Sequence, residues 1–429
     1  MRNRSSIEFV SCLLTVACLI AGGCGQPQSS PPPAESAPPT AGAEPPIGEP
    51  SPPPPPPTPP AEPVPPPPKP STGQKAKPPL TLGKPGGGAA NPAPDTPSPA
   101  NTNTTTVRVF FGTDRQPITL IEASFANEPT VDAGRLSLGW CEVSIPRLVH
   151  RTGEIERPTY WTLNTTDWFE NPDRHFVIQV RKLAGEDEFR ASLRQAVDAG
   201  SEKQILLFIH GYNTSFDDAV YRSAQLAVDL KFQGATVLYS WPSNARLVRY
   251  SADRDHSVST LPNFKRFVRE LAQNSGAKTI HVIAHSMGNN ALVHGLSEMA
   301  REDSPPHFRQ IIMAAPDVDR REFERLAAAF SSVADHFTLY AADNDRALGA
   351  AETLLGDPRI GDSRPMFLRR GLDSIDASSI IKGFLKHSYF ADPRILADIE
   401  KLIAGYQPPP RFGLIGMPND QRPDYWTFR

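Results

Sequence analysis

From Gln204 onward the chain alternates short apolar runs with amphipathic stretches, and few architectures accommodate that alternation. The run 205–209, Ile-Leu-Leu-Phe-Ile, has no polar residue for either face, as a parallel strand covered on both sides requires. Helical spacing follows over 216–231, then a strand at 236–241, a helix at 261–273, a strand at 279–284 and a helix at 287–301. The pattern continues with strand 310–315, helix 320–330, strand 337–342, helix 346–355, strand 366–375 and helix 393–404. Short links between such elements predict an α/β fold: a doubly wound, mostly parallel sheet with helices on both faces and right-handed crossovers. Ahead of it, 107–111, 140–145 and 175–183 are β-branched or aromatic and predict early strands, and 187–197 has helical spacing.

Within that pattern, the stretch from Lys278 to Val293 predicts a strand, a sharp turn with Ser286 at its apex, and a helix. A serine in such a strained turn needs small residues two before and two after it, so that strand and helix backbones can approach. Ala284 and Gly288 meet that need, with Ala284 in a place where glycine is usual. A serine that merely caps the following helix is the structural alternative.

Ligands in such a sheet gather at the carboxyl ends of the strands. Strand 205–209 runs into His210-Gly211-Tyr212, and an acyl-transfer serine needs two donors for the developing oxyanion; the main-chain N–H groups of Tyr212 and Met287 are the candidates. Past strand 337–342, Asp345 is the candidate acid, with Asp343, Asp317 and Asp319 as rivals. His387 is the one histidine after Asp345, so the chain order is Ser, Asp, His. His285, beside the serine in a sharp turn, points elsewhere and is expected to be structural.

Six segments then carry a resemblance. Val109-Phe-Phe-Gly-Thr-Asp-Arg115, Phe208-Ile-His-Gly-Tyr-Asn213, Ser240-Trp-Pro-Ser243, Ala284-His-Ser-Met-Gly-Asn289, Ala314-Ala-Pro-Asp317 and His387-Ser-Tyr-Phe390 together resemble the α/β-hydrolase family known as domain of unknown function 900, of esterase/lipase type. The resemblance covers roughly Val107 to Gly405. It implies an α/β-hydrolase fold and a serine-hydrolase site, supports the triad above, makes Ala284 ordinary within the group, and supplies no substrate. The expected activity is carboxylesterase-like or lipase-like cleavage of an acyl ester by Ser286, His387 and Asp345. A thioesterase or acyltransferase, or a catalytically inactive fold serving as a surface binding module, stays open.

Only some 20 residues separate Asp317 from the next expected strand, so no large cap domain is expected there. The longest insertion at the catalytic edge is 241–260, expected as a loop that lines the substrate pocket through Trp241 and Tyr250. Its Arg246, Arg249 and Arg254 are either solvated surface or a hold for an anionic ester.

Residues 1–23 have the form of a secretory signal: Arg2 and Arg4, an apolar run from Phe9 to Ile20, and Ala21-Gly22-Gly23 ahead of Cys24. Small residues before a cysteine resemble a bacterial lipobox, which implies acylation of Cys24 and an exported protein anchored to the membrane of the cell envelope, the outer one in a Gram-negative cell. About 30 of the 48 prolines fall between Gln26 and Ala100, so 24–104 is expected to be a disordered stalk with a contour limit on the order of 200 Å. The hydrolase domain is then expected over 105–405 and a tail over 406–429. Of four cysteines only Cys141 would remain as a thiol, so no intramolecular disulfide is expected. A net charge of −3 without a basic, aromatic-rich run speaks against a nucleic-acid partner. No His-Glu-x-x-His, Cys-x-x-Cys or phosphate-loop motif occurs, so neither a metal nor another cofactor is expected.

Overall fold

The computed structural model describes residues 103–429 apart from 120, 133, 159–168, 244–249, 344–357, 381–390, 406–408, 412 and 419–423. Cys24, the proline-rich stretch, the helix expected over 346–355, and both Asp345 and His387 lie outside these residues.

In chain order the strands are β1 (Thr104–Thr113), β2 (Arg115–Pro117), β3 (Phe125–Pro129), β4 (Ser137–Pro146), β5 (Val177–Ala184), β6 (Gln204–Ile209) and β7 (Ala235–Ser240). They continue with β8 (Thr279–His285), β9 (Phe308–Ala314), β10 (Ala334–Ala341), β11 (Leu372–Asp376), β12 (Leu414–Met417) and β13 (Tyr425–Phe428). The helices are α1 (Glu186–Ala199), α2 (Phe216–Asp229), α3 (Tyr250–Ser259), α4 (Leu261–Asn274), α5 (Gly288–Met299), α6 (Arg320–Ala327) and α7 (Pro393–Ile403).

Eleven of the described strands form one sheet in the order β12-β13-β11-β10-β9-β8-β6-β7-β1-β4-β5, and β2 pairs with β3 in a separate hairpin. From β1 to β13 neighbouring strands run parallel; β4 and β5 on one side and β12 on the other are antiparallel. The centre is the α/β-hydrolase fold, built from runs buried on both faces. Ile205, Leu207 and Ile209 point to the layer with α1, α4, α5 and α6, whereas Leu206 and Phe208 point to the layer with α2 and α7. β6 has β7 on one side and β8 on the other. The chain therefore reverses its direction of travel across the sheet at β6, which opens a crevice at the carboxyl ends of β6 and β8.

Local chemistry sets several element ends. Ser215 caps α2 by accepting from the Asp218 N–H, Asp319 caps α6 through the Glu322 N–H, and Asp392 caps α7 with Pro393 in its first turn. No domain enters after β9: the chain passes through α6 and one short 3-10 turn into β10. Cys141 is a free thiol buried in the sheet, and burial pushes its pKa up to about 12.

Three expectations change. The insertion 241–260 is not all loop, because its second half is α3, whose Asp253 is buried and accepts from Ser243 Oγ at 2.7 Å. The strand expected over 366–375 is confined to Leu372–Asp376, since 366–369 are irregular and 370–371 form a turn. The tail expected over 406–429 supplies β12 and β13, so the sheet extends past residue 405. Periodicity could not reveal these four-residue strands, which are held from the side. Arg411 makes a bidentate pair with Asp398 of α7, at 2.7 and 2.8 Å, and Tyr340 of β10 donates to the same carboxylate at 2.7 Å, all of it buried.

Removing one partner of a buried pair leaves an uncompensated charge, so Asp398→Ala is expected to cost about 3–5 kcal/mol in urea unfolding. The double replacement Asp398→Leu with Arg411→Met is expected to recover most of that loss. Equal losses in the two variants would show that the pair's charges are not what holds the last strands.

Candidate active site

Ser286 follows β8 directly and has φ +50°, a left-handed conformation that costs a β-carbon-bearing residue about 1–3 kcal/mol. Surrounding backbone enforces it. The Ser286 N–H donates to Ala314 O at 2.9 Å, and Ser286 O accepts from the N–H groups of Asn289 at 3.1 Å and Asp317 at 3.2 Å. Asn289 Nδ2 adds bonds to Ser286 O at 3.0 Å and Ala284 O at 3.1 Å. The next residue, Met287, is helical in conformation and opens α5. That is the strand-turn-helix elbow expected from the sequence.

Two glycines bring the neighbouring loop against this elbow. A β-carbon on Gly288 would lie 2.3 Å from His210 O, a collision with backbone that no side-chain movement relieves. One on Gly211 would lie 2.7 Å from His285 Nδ1 and 2.9 Å from Ser286 Cβ. Ala284 pairs in register with Ile209 of β6 and is fully buried, so its single methyl is tolerated there. The segment of Tyr212 therefore adjoins Ser286, as the oxyanion assignment needs. Ser286 itself is buried, with only 2% of its surface exposed.

Below this loop sits a buried charge that no sequence pattern announced. Arg115, at the start of β2, is 0% exposed, and its partners come from three segments. Nε donates to Ser240 Oγ at 2.9 Å. Nη1 donates to Asn127 Oδ1 at 3.1 Å and Ser243 O at 3.3 Å. Nη2 donates to Thr214 O at 2.7 Å and lies 3.2 Å from His210 Nε2. Five donors thus meet five acceptors. Burial lowers the Arg115 pKa to about 10, with Asp114 and Asp253 opposing that shift, so it is charged at neutral pH.

His210 is buried too, and burial first, then the Arg115 charge, lowers its pKa to about 3. Its ring stacks on Trp241 at 5.1 Å, its Nδ1 lies 2.8 Å from Gly211 O, and Trp241 Nε1 donates to His210 O at 2.7 Å. Trp241, expected at the pocket wall, is fully buried beneath the loop in this structure, where it braces His210. Tyr250 begins α3.

Among the rival acids, Asp319 is occupied as the cap of α6, and Asp317 faces the buried Arg359 with Nε 3.3 Å from Oδ1. The Asp343 N–H donates to Ser378 Oγ at 2.8 Å. Of the three arginines considered for an anionic substrate, Arg254 lies within the described residues. Its charge adds to a hydrogen bond from His294 in holding the Glu322 carboxyl below its usual range.

An alpha/beta hydrolase family of unknown function, DUF900, has a family model that matches residues 185–405, just over half of the chain. The chain belongs to that family. An uncharacterized protein from the cyanobacterium Nostoc sp. (strain PCC 7120) is 26% identical over 169 residues, which cover 28% of this chain and 44% of that relative. The chain thus spans less than half the length of that relative. Among solved structures, a predicted CIB-like hydrolase from Thermoplasma acidophilum is similar with a TM-score of 0.30 and 15% identity, over 53% of this chain and 91% of that one. Mouse alpha/beta hydrolase domain-containing protein 10 has a TM-score of 0.27 and 12% identity, over 48% and 91%. The matched range of this DUF900 member begins at Gly185, so β1 and Arg115 lie outside it.

The pH dependence of stability carries a signature of the buried histidine. A histidine whose folded pKa is depressed binds its proton in the unfolded chain first, so its contribution is complete above about pH 6.5 and is lost as pH falls toward about 3. Over that window the loss is expected to approach about 1.4 kcal/mol per pH unit from this residue. His281, lowered to about 4 by burial, adds to it in the same direction. Urea unfolding of wild type and His210→Asn from pH 7 to 4 checks this; parallel curves would contradict a neutral, buried His210.

Proposed function

We propose that this DUF900 protein is a serine hydrolase of carboxylesterase or lipase type. Ser286 attacks an acyl carbonyl, His387 takes its proton and returns it to the leaving group, and Asp345 holds His387 in the required tautomer. The N–H groups of Tyr212 and Met287 receive the oxyanion, and water then releases the acyl group from the enzyme. The observation that carries this reading is the left-handed Ser286 between β8 and α5, pressed against the Tyr212 loop through Gly211 and Gly288. A serine that only capped a helix would need neither the strain nor the two glycine contacts. The engagement of Asp319 as a helix cap and of Asp317 by Arg359 favours Asp345, with Asp343 as its rival, over those two as the acid.

Thioesters differ only in the leaving group and acyl transfer only in the acceptor, so both remain variants of the same proposal. The lipobox-like Ala21-Gly22-Gly23-Cys24 supports an exported, lipid-anchored enzyme of the cell envelope, acting on a small-molecule or lipid ester. Tyr250 is kept as a contact for the substrate, and Trp241 as the support beneath that wall.

A fluorophosphonate probe is expected to label Ser286 in the folded protein, and Ser286→Ala to abolish both the label and ester turnover, by about 10⁴-fold or more, while leaving the melting temperature within a few degrees. A folded wild type that takes no label and cleaves neither esters nor thioesters would favour the binding-module alternative.

A further inference from the structure

We infer that Arg115 and His210 are positioning residues for the oxyanion site: Arg115 dictates which nitrogen of His210 carries hydrogen, and that N–H holds the Gly211–Tyr212 peptide in the orientation the reaction uses. The inference rests on the reading of Ser286 as nucleophile and of the Tyr212 N–H as oxyanion donor.

A guanidinium has donors only, so the nitrogen it faces must present a lone pair. Arg115 Nη2 lies 3.2 Å from His210 Nε2, and the Ser240 hydroxyl, which accepts from Arg115 Nε, stands 3.3 Å from the same nitrogen with its own hydrogen to donate. Hydrogen therefore resides on Nδ1, 2.8 Å from Gly211 O, and the imidazole donates to that carbonyl. The opposite tautomer would gain one bond, from Nε2–H to Trp241 O at 3.1 Å. It would also set that hydrogen against the guanidinium and turn a lone pair toward Gly211 O. Burial reinforces the choice by keeping the ring neutral. The stacked indole of Trp241 prevents it from swinging away.

The Gly211 carbonyl and the Tyr212 N–H belong to one trans peptide, so they point in opposite directions. Fixing the carbonyl against His210 fixes the N–H on the other side of the peptide plane. The same glycine is in close contact with the elbow, where a β-carbon would come within 2.9 Å of Ser286 Cβ. A peptide flip at Gly211, which glycine permits more readily than any other residue, would replace the donor by a carbonyl oxygen. Arg115 bears on that flip from both ends of the loop, because it also donates to Thr214 O at 2.7 Å.

Two measurements on the full chain test this. Nitrogen NMR of histidine-labelled protein is expected to find His210 as the neutral Nδ1–H tautomer throughout pH 5 to 8; an Nε2–H tautomer, or titration within that range, overturns the inference whatever the activity. In kinetics, an asparagine amide reaches the place of Nδ1 and a glutamine amide that of Nε2. His210→Asn is therefore expected to retain kcat to within about tenfold, whereas His210→Gln and Arg115→Met lose about 100-fold in kcat with KM nearly unchanged. Should Arg115→Met fail to fold, the two histidine variants carry the test, and equal kcat values for them would overturn it. A wild type whose Ser286 does not react with fluorophosphonate removes the hydrolase reading and this role together. A reactive wild type with the other tautomer removes this role alone.

Discussion

Burying a guanidinium without a carboxylate in contact is costly unless every donor finds an acceptor, and the carboxyl edge of this sheet is arranged around meeting that demand. Arg115 draws in the loop after β6 through His210 and Thr214, the end of β7 and the loop after it through Ser240 and Ser243, and β3 through Asn127. Their mutual position is set by the fork geometry of a single side chain. The buried acids nearby keep the charge in place. Asp114, which accepts from Thr260 Oγ1 at 2.7 Å, has its pKa raised by burial, and Asp253 accepts from Ser243.

Strain and support are matched at the elbow. The left-handed Ser286 persists because its backbone lies in a close-packed junction of β8, β9, α5 and the β6 loop, where relaxing φ would break bonds to Ala314, Asn289 and Asp317 together. Ala315 across the junction has φ +47°, and its N–H is held by Tyr340 O at 3.0 Å. Strained residues are thus tied to the central strands, where the core is most deeply buried. Residues held by helices and strands keep their geometry more precisely than residues on loops alone.

The outer parts of the sheet use polar anchors instead. His150 bridges Glu156 and Asp229, each at 2.9 Å, and fastens the turn after β4 onto α2; burial opposes its charge, but the two carboxylates raise its pKa to about 9. At the far edge the Arg411–Asp398–Tyr340 cluster does the same for β12 and β13. Apolar burial specifies the middle of the molecule. Directional charged bonds reinforce the edges, most of all at β12 and β13, where four-residue strands have little apolar surface to select a register.

How much of this was legible in the sequence depends on the range of the interaction. The apolar runs at 205–209 and 279–284 and the helical spacing at 216–231 and 261–273 are local properties, and each names its element within a few residues. The Ser286 elbow was readable because its requirement for small flanking residues is itself local. Arg115 was not readable as a brace. Nothing within 109–115 shows that five acceptors from distant segments will meet it, although Ser240-Trp-Pro-Ser243 and His210-Gly211 stood out as motifs. Trp241 likewise looked like a pocket wall, because burial under a loop depends on where β7 ends relative to β6. By itself, then, the sequence determined the class of fold, the order of its central elements and the position of the candidate nucleophile, since hydrophobic period and backbone sterics act over a few residues. Only the tertiary structure decided what surrounds Arg115 and His210 and where the last strands dock, since burial and hydrogen-bond partnership come from residues roughly a hundred positions apart in the chain.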